Sequence, residues 1–98
     1  MANVQFVHIN DLDMTEKSKL IKLSEEYNNK IEREVGDVNL VINIKKRNKG
    51  GRSNYEIILK VEHANFSFAS LSNDWDFPKA IHRAFEKVLK EIQHRYKE

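Results

Sequence analysis

Cysteine is absent from this 98-residue chain. Disulfide staples and thiolate metal sites are thereby excluded, and a reducing, cytoplasmic setting is the expectation. No apolar run is long enough to span a bilayer, and the first residues lack the basic-then-apolar pattern of a secretory leader. No membrane partner is expected. The four histidines (His8, His63, His82, His94) form no His-x-x-x-His pair, so no metal site is expected either. A nucleophile elbow is missing, no glycine-rich phosphate loop has a recognised spacing, and Gly50-Gly51 alone is a turn. Carboxylates are scattered over solvated faces, with nothing to raise a pKa usefully. These absences predict a non-enzyme with no catalytic residue, no cofactor and no small-molecule substrate.

Glycine and proline are scarce as well, three and one, and each marks a boundary. Residues 4–9 read as a first strand. Thr15 or Asp13 caps a helix over 16–35, whose apolar positions Leu20, Leu23, Tyr27, Ile31 and Val35 recur at helical spacing. Gly36 stops it, as a residue tolerant of left-handed backbone does. Val38, Leu40, Ile42 and Ile44 then alternate with Asn39, Val41, Asn43 and Lys45, the period of a half-buried strand. A flexible turn over 48–54, centred on Gly50-Gly51, leads to a strand setting Tyr55, Ile57, Leu59 and Val61 against Glu56, Ile58, Lys60 and Glu62. Residues 65–71 form a fourth strand, and Pro78 sits in the first turn of a last helix, where its missing N–H does no harm.

The order β-α-β-β-β-α predicts one domain over 1–98. It is an α+β two-layer sandwich, with a four-stranded mixed sheet and two helices on one face. The other face, carrying Asn39, Asn43, Glu56, Lys60, Asn65 and Ser67, should meet water. Spacing places Phe66, Phe68, Phe77 and Phe85 in the core. Trp75, in the loop before the last helix, is expected to lie over that helix's end.

Net charge is +2, but between positions 45 and 52 there are five cations (Lys45, Lys46, Arg47, Lys49, Arg52) and no acid, leaving −3 elsewhere. The last helix sorts its charges too. At about 100° per residue, Lys79, Arg83, Lys87, Lys90, His94 and Lys97 fall within about 80° of one another, with Glu86 and Glu91 outside that sector. Opposite charges usually intermix on a solvated helix. An edge of one sign therefore points to a polyanion. In helix one, Lys19, Lys22, Lys30 and Arg33 share a comparable sector, interrupted by Glu26. The ordinary alternative is a solvated face, and for the turn a hairpin whose charges deter edge pairing.

Three stretches carry a family resemblance: Asp11-Leu12-Asp13-Met14-Thr15-Glu16; Gly36-Asp37-Val38-Asn39-Leu40; and Ala69 followed by Asn73-Asp74-Trp75-Asp76-Phe77 and Lys79-Ala80-Ile81. In order and spacing the chain resembles the ribosome hibernation-promoting factors and the related ribosome-associated translation inhibitor. The resemblance implies a protein that occupies the channel of the small ribosomal subunit and blocks translation by bulk. Basic helix side chains would meet ribosomal RNA phosphates. His8-Ile9-Asn10 stands where many members carry a Gly-Arg pair.

The expected RNA-binding residues are Lys79, Arg83, Lys87 and Lys90, then Lys22, Lys30 and Arg33, then Lys45, Lys46, Arg47, Lys49 and Arg52, all converging on one basic surface. The expected partner is the small ribosomal subunit with its rRNA, bound by a monomer or weak dimer. Two alternatives remain open. One is a general binder of structured or double-stranded RNA; the other is a protein-interaction module using a sheet edge or the open face.

Overall fold

Backbone patterning resolves into the expected element order in a computed structural model, which describes residues 3–95. The elements are β1 (Asn3–Val7), α1 (Met14–Val35), β2 (Asn39–Lys49), β3 (Arg52–Glu62), β4 (Ser67–Asp74) and α2 (Phe77–Arg95). Lys97, expected on the basic edge of the last helix, lies outside the described residues. The sheet order is β1-β2-β3-β4, with β1 parallel to β2 and the remaining pairs antiparallel. The parallel pair is possible because a 22-residue helix carries the chain back between its strands. The α+β two-layer architecture is as the sequence predicts.

The two helices divide the sheet. α2 packs on β3 and β4, while α1 packs on β1 and against α2. Their apolar stripes meet Leu40, Ile42, Ile44, Ile57, Leu59 and Val61 in one buried cluster that contains Phe77 and Phe85. Phe66 and Phe68 are only half-buried and stack on each other at 4.8 Å against the cluster's rim, because β4 is an edge strand that α2 covers incompletely. On the covered face of β4, Ser70 and Ser72 oppose Ala84 and Ala80. Their hydroxyls donate to the Ala84 and Ala80 carbonyls at 2.9 and 2.6 Å. Small side chains on both partners let helix and strand approach closely, and the hydrogen bonds remove the cost of burying two hydroxyls.

Asp13, not Thr15, caps α1. Its carboxylate accepts the Glu16 N–H at 2.8 Å, while its own N–H donates to the Glu16 carboxylate at 2.9 Å. Reciprocity decides the choice, since only Asp13 puts an acid three residues on at Glu16. A second departure is the turn over 48–54. β2 and β3 stay paired up to Lys49↔Arg52, leaving a two-residue turn at Gly50 and Gly51 with φ of 56° and 79°. Positive φ at both central residues matches the twist of a tight hairpin, and glycine adopts it without strain.

Two polar side chains are buried on α1 one turn apart. Ser24 and Asn28 are fully buried, and neither the Ser24 hydroxyl nor the Asn28 amide has a hydrogen-bond partner among the described residues. An unpaired buried hydroxyl costs about 1–3 kcal/mol, and serine is a weaker helix former than alanine by several tenths. Ser24→Ala, nearly isosteric, is expected to raise stability by about 1 kcal/mol. In thermal denaturation it should lift the midpoint by about 4–8 °C; a lowered midpoint would mean that the hydroxyl is satisfied in solution.

Candidate nucleic-acid interface

The sheet separates the predicted cations into two groups on opposite sides. Alternation along β2 turns Lys45, Arg47 and Lys49 to the open face and Lys46 to the helix side. Lys46 there forms an ion pair with Glu16 at 3.0 Å and lies 5.7 Å from the centre of the Tyr55 ring. The Tyr55 hydroxyl donates to the other Glu16 oxygen. Lys46 therefore anchors the start of α1 to the sheet and, contrary to the sequence expectation, does not present its charge to an RNA surface. Hydrogen bonding to Glu16 raises the Lys46 pKa. Burial disfavours the Glu16 carboxylate, but the bonds from Tyr55, the Asp13 N–H and Lys46 outweigh it and hold its pKa below the usual value.

On the open face, Arg47 reaches Glu56 at 3.6 Å and the Arg52 guanidinium lies over the Trp75 ring at 4.7 Å. Trp75 is thus on the open side with 43% of its surface exposed, not over the end of α2. Strand alternation had the signal: Ala69, Leu71, Asn73 and Trp75 continue one parity. Val41 and Ile58 lie half-buried on the same face, which is therefore less polar than Asn39, Asn43, Glu56 and Lys60 alone would make it. Ile58 is the register partner of Leu71, which is 54% exposed.

The helix layer holds the second group. Asp76 caps α2, accepting the Lys79 N–H at 3.1 Å. Arg83 pairs with Asp74 at 3.1 Å, and Lys87 donates to the Leu71 carbonyl at 2.6 Å. The Asp76 N–H first, and then the Arg83 and Lys79 charges, lower the Asp74 pKa. These contacts turn the basic edge of α2 toward the outer side of β4, where Lys87 and Lys90 line a groove of about 420 Å³ with Phe68, Ala69, Ser70 and Leu71. By satisfying an edge carbonyl, Lys87 also blunts strand pairing there.

Tyr27 joins the helices on the other flank of α2. Its hydroxyl meets His82 Nδ1 at 2.5 Å, and its ring stacks on Phe85 at 4.6 Å. Lys30 lies over the same ring at 4.9 Å. Burial, followed by the charges of Glu86 and Glu26, raises the Tyr27 pKa. Both acids are therefore close to the seam between the helices. Lys22, Lys30 and Arg33 are exposed on α1, and Lys79, Arg83, Lys87 and Lys90 on α2. The two sets share the helix layer but flank an acidic seam. A single basic surface including Lys45, Arg47, Lys49 and Arg52 does not form, since the sheet stands between.

No family model matches the chain, and no curated protein matches it. Among solved structures it is similar to the crystal structure of the Thermus thermophilus Protein Y N-terminal domain. The TM-score is 0.64 and the identity 14%, with 95% of this chain and 96% of that chain covered. At that identity the likeness establishes a shared fold.

Proposed function

We propose that this protein binds the small ribosomal subunit through the exposed cations of its helix layer and blocks translation by bulk, with no bond made or broken. The observation that carries the reading is the edge of α2, where Lys79, Arg83, Lys87 and Lys90 are all exposed along one side of a helix. Its support is the motif resemblance to the hibernation-promoting factors, and a fold shared with Protein Y across nearly the whole chain. Lys22, Lys30 and Arg33 extend the footprint beyond the acidic seam. Phosphate contacts of this kind supply affinity and orientation without reading sequence. A cytoplasmic location follows from this reading.

Co-sedimentation with purified ribosomal subunits across a salt series tests it. Binding is expected to saturate on the small subunit and to weaken steeply with salt. Lys87→Glu combined with Lys90→Glu should reduce the slope of log affinity against log salt by roughly 1.4–1.8, about 0.7–0.9 for each lost phosphate contact. Equal affinity for a plain RNA duplex would favour a general duplex binder. The exposed Leu71 beside Ile58 on the open face favours the interaction module as the second reading. That module predicts self-association insensitive to either lysine, and no RNA binding at low salt.

A further inference from the structure

We propose that the open face of the sheet carries a separate site for single-stranded nucleic acid, in which Trp75 stacks an unpaired base and Arg47 and Lys49 hold the neighbouring phosphates. The site goes beyond the helix-layer reading and does not depend on it.

Four observations converge on it. β4 pairs with β3 only as far as Tyr55↔Asp74, and β1 pairs with β2 only as far as Asn43. The hairpin from Arg47 to Asn54 therefore projects as a two-stranded arm with cations along it. At the arm's base a groove of about 610 Å³ is lined by Arg47, Asn48, Lys49, Asn54, Asn73 and Trp75, within the size range of small-ligand sites. Trp75 keeps 43% of its surface exposed, whereas tryptophan is usually well buried. Arg52 lies against its ring at 4.7 Å, fixing the ring's orientation by cation–π attraction.

The lining chemistry suits a nucleotide. An indole offers a sequence-tolerant surface for base stacking, and exposed cations beside it track a backbone. Asn54 and Asn73 add amide donors and acceptors of the kind that read base edges. The nearby acids are already engaged: Glu56 pairs with Arg47, whose side chain remains 70% exposed, Asp74 pairs with Arg83, and Asp76 accepts the Lys79 N–H. Deterring edge pairing would explain charges on a projecting ribbon. It would not explain an exposed indole set beside two asparagines.

Trp75 is the chain's only tryptophan, so its fluorescence reports directly on the groove. Titration with a short oligouridine or oligothymidine at low salt is expected to quench it saturably, with at least tenfold weaker quenching by a blunt RNA duplex. Equal binding of both oligonucleotides supports the site; preference for oligouridine also supports it and adds a 2′-hydroxyl contact. Arg47→Glu with Lys49→Glu should weaken binding at least tenfold, while Lys87→Glu with Lys90→Glu should leave it unchanged. Trp75→Ala, followed by anisotropy of a labelled oligonucleotide, should weaken binding about five- to hundredfold, and Trp75→Phe should restore most of it. No saturable quenching, equal response to the duplex, or insensitivity to the arm reversal overturns the proposal. Self-association in place of oligonucleotide binding also overturns it and assigns the face to a protein. Because the helix-layer test uses other residues and another ligand, either proposal can fail alone.

Discussion

Phe85→Ala is expected to destabilise the protein by about 3–5 kcal/mol, against a total of about 5–15 kcal/mol for a domain of this kind. Phe85 is the largest fully buried side chain among the described residues, and it stacks on Tyr27 at 4.6 Å. Its removal opens a cavity at the junction of both helices with the sheet, and it deletes the stacking that fastens α1 to α2. The loss should be uneven. α1 rests on β1 and α2, while α2 is seated on the central strand β3 and the edge strand β4. Hydrogen exchange should therefore show the amides of α1 losing protection before those of β3. Phe85→Leu keeps much of the apolar burial and forfeits chiefly the aromatic pair, about 0.5–1.5 kcal/mol. Uniform loss of protection in Phe85→Ala would show that α1 is held by the common core and not by this junction.

Glu16→Ala should cost about 2–4 kcal/mol, a fall in midpoint of about 8–32 °C. One carboxylate completes the capping box with Asp13, pairs with Lys46 and accepts from Tyr55. Losing the return half of the capping box, the bond from the Asp13 N–H, accounts for about 0.5–1 kcal/mol, while Asp13 still caps the helix. The larger part is the Tyr55 hydroxyl and the Lys46 ammonium, left half-buried without their partner. The same group predicts a pH dependence. Its folded pKa lies below the ordinary value of 4.5, so the folded protein favours the carboxylate more than the unfolded chain does. The stabilisation is complete above that value and is lost as pH falls through the lower folded one. Glu16→Gln should therefore melt below the native protein at pH 7, with the gap closing toward pH 3. A constant gap across that range would remove the ionised carboxylate from the account.

Much of this was legible in the chain. Period-two alternation in β2 and β3 fixed which residues face the helices, and it held because one face of the sheet is dry and the other wet. Gly36 and Pro78 marked helix ends through backbone chemistry that acts within a few residues. The basic edge of α2 also followed from spacing, since a helix is a local object and its faces can be computed from sequence.

Convergence was a different matter. Lys46 and its neighbours Lys45 and Arg47 form one basic run, yet a strand throws alternate side chains to opposite faces, so the run was divided between an ion pair with Glu16 and the open groove. That Arg52 would meet Trp75, or that Glu26 and Glu86 would approach the seam at Tyr27, depends on which strands neighbour which and how the helices lean. Sequence by itself determined the elements, their dry faces and the charge carried by each. Only tertiary structure decided which charges share a surface, because Coulomb attraction and solvent screening act through distances in space, which the order of residues does not specify.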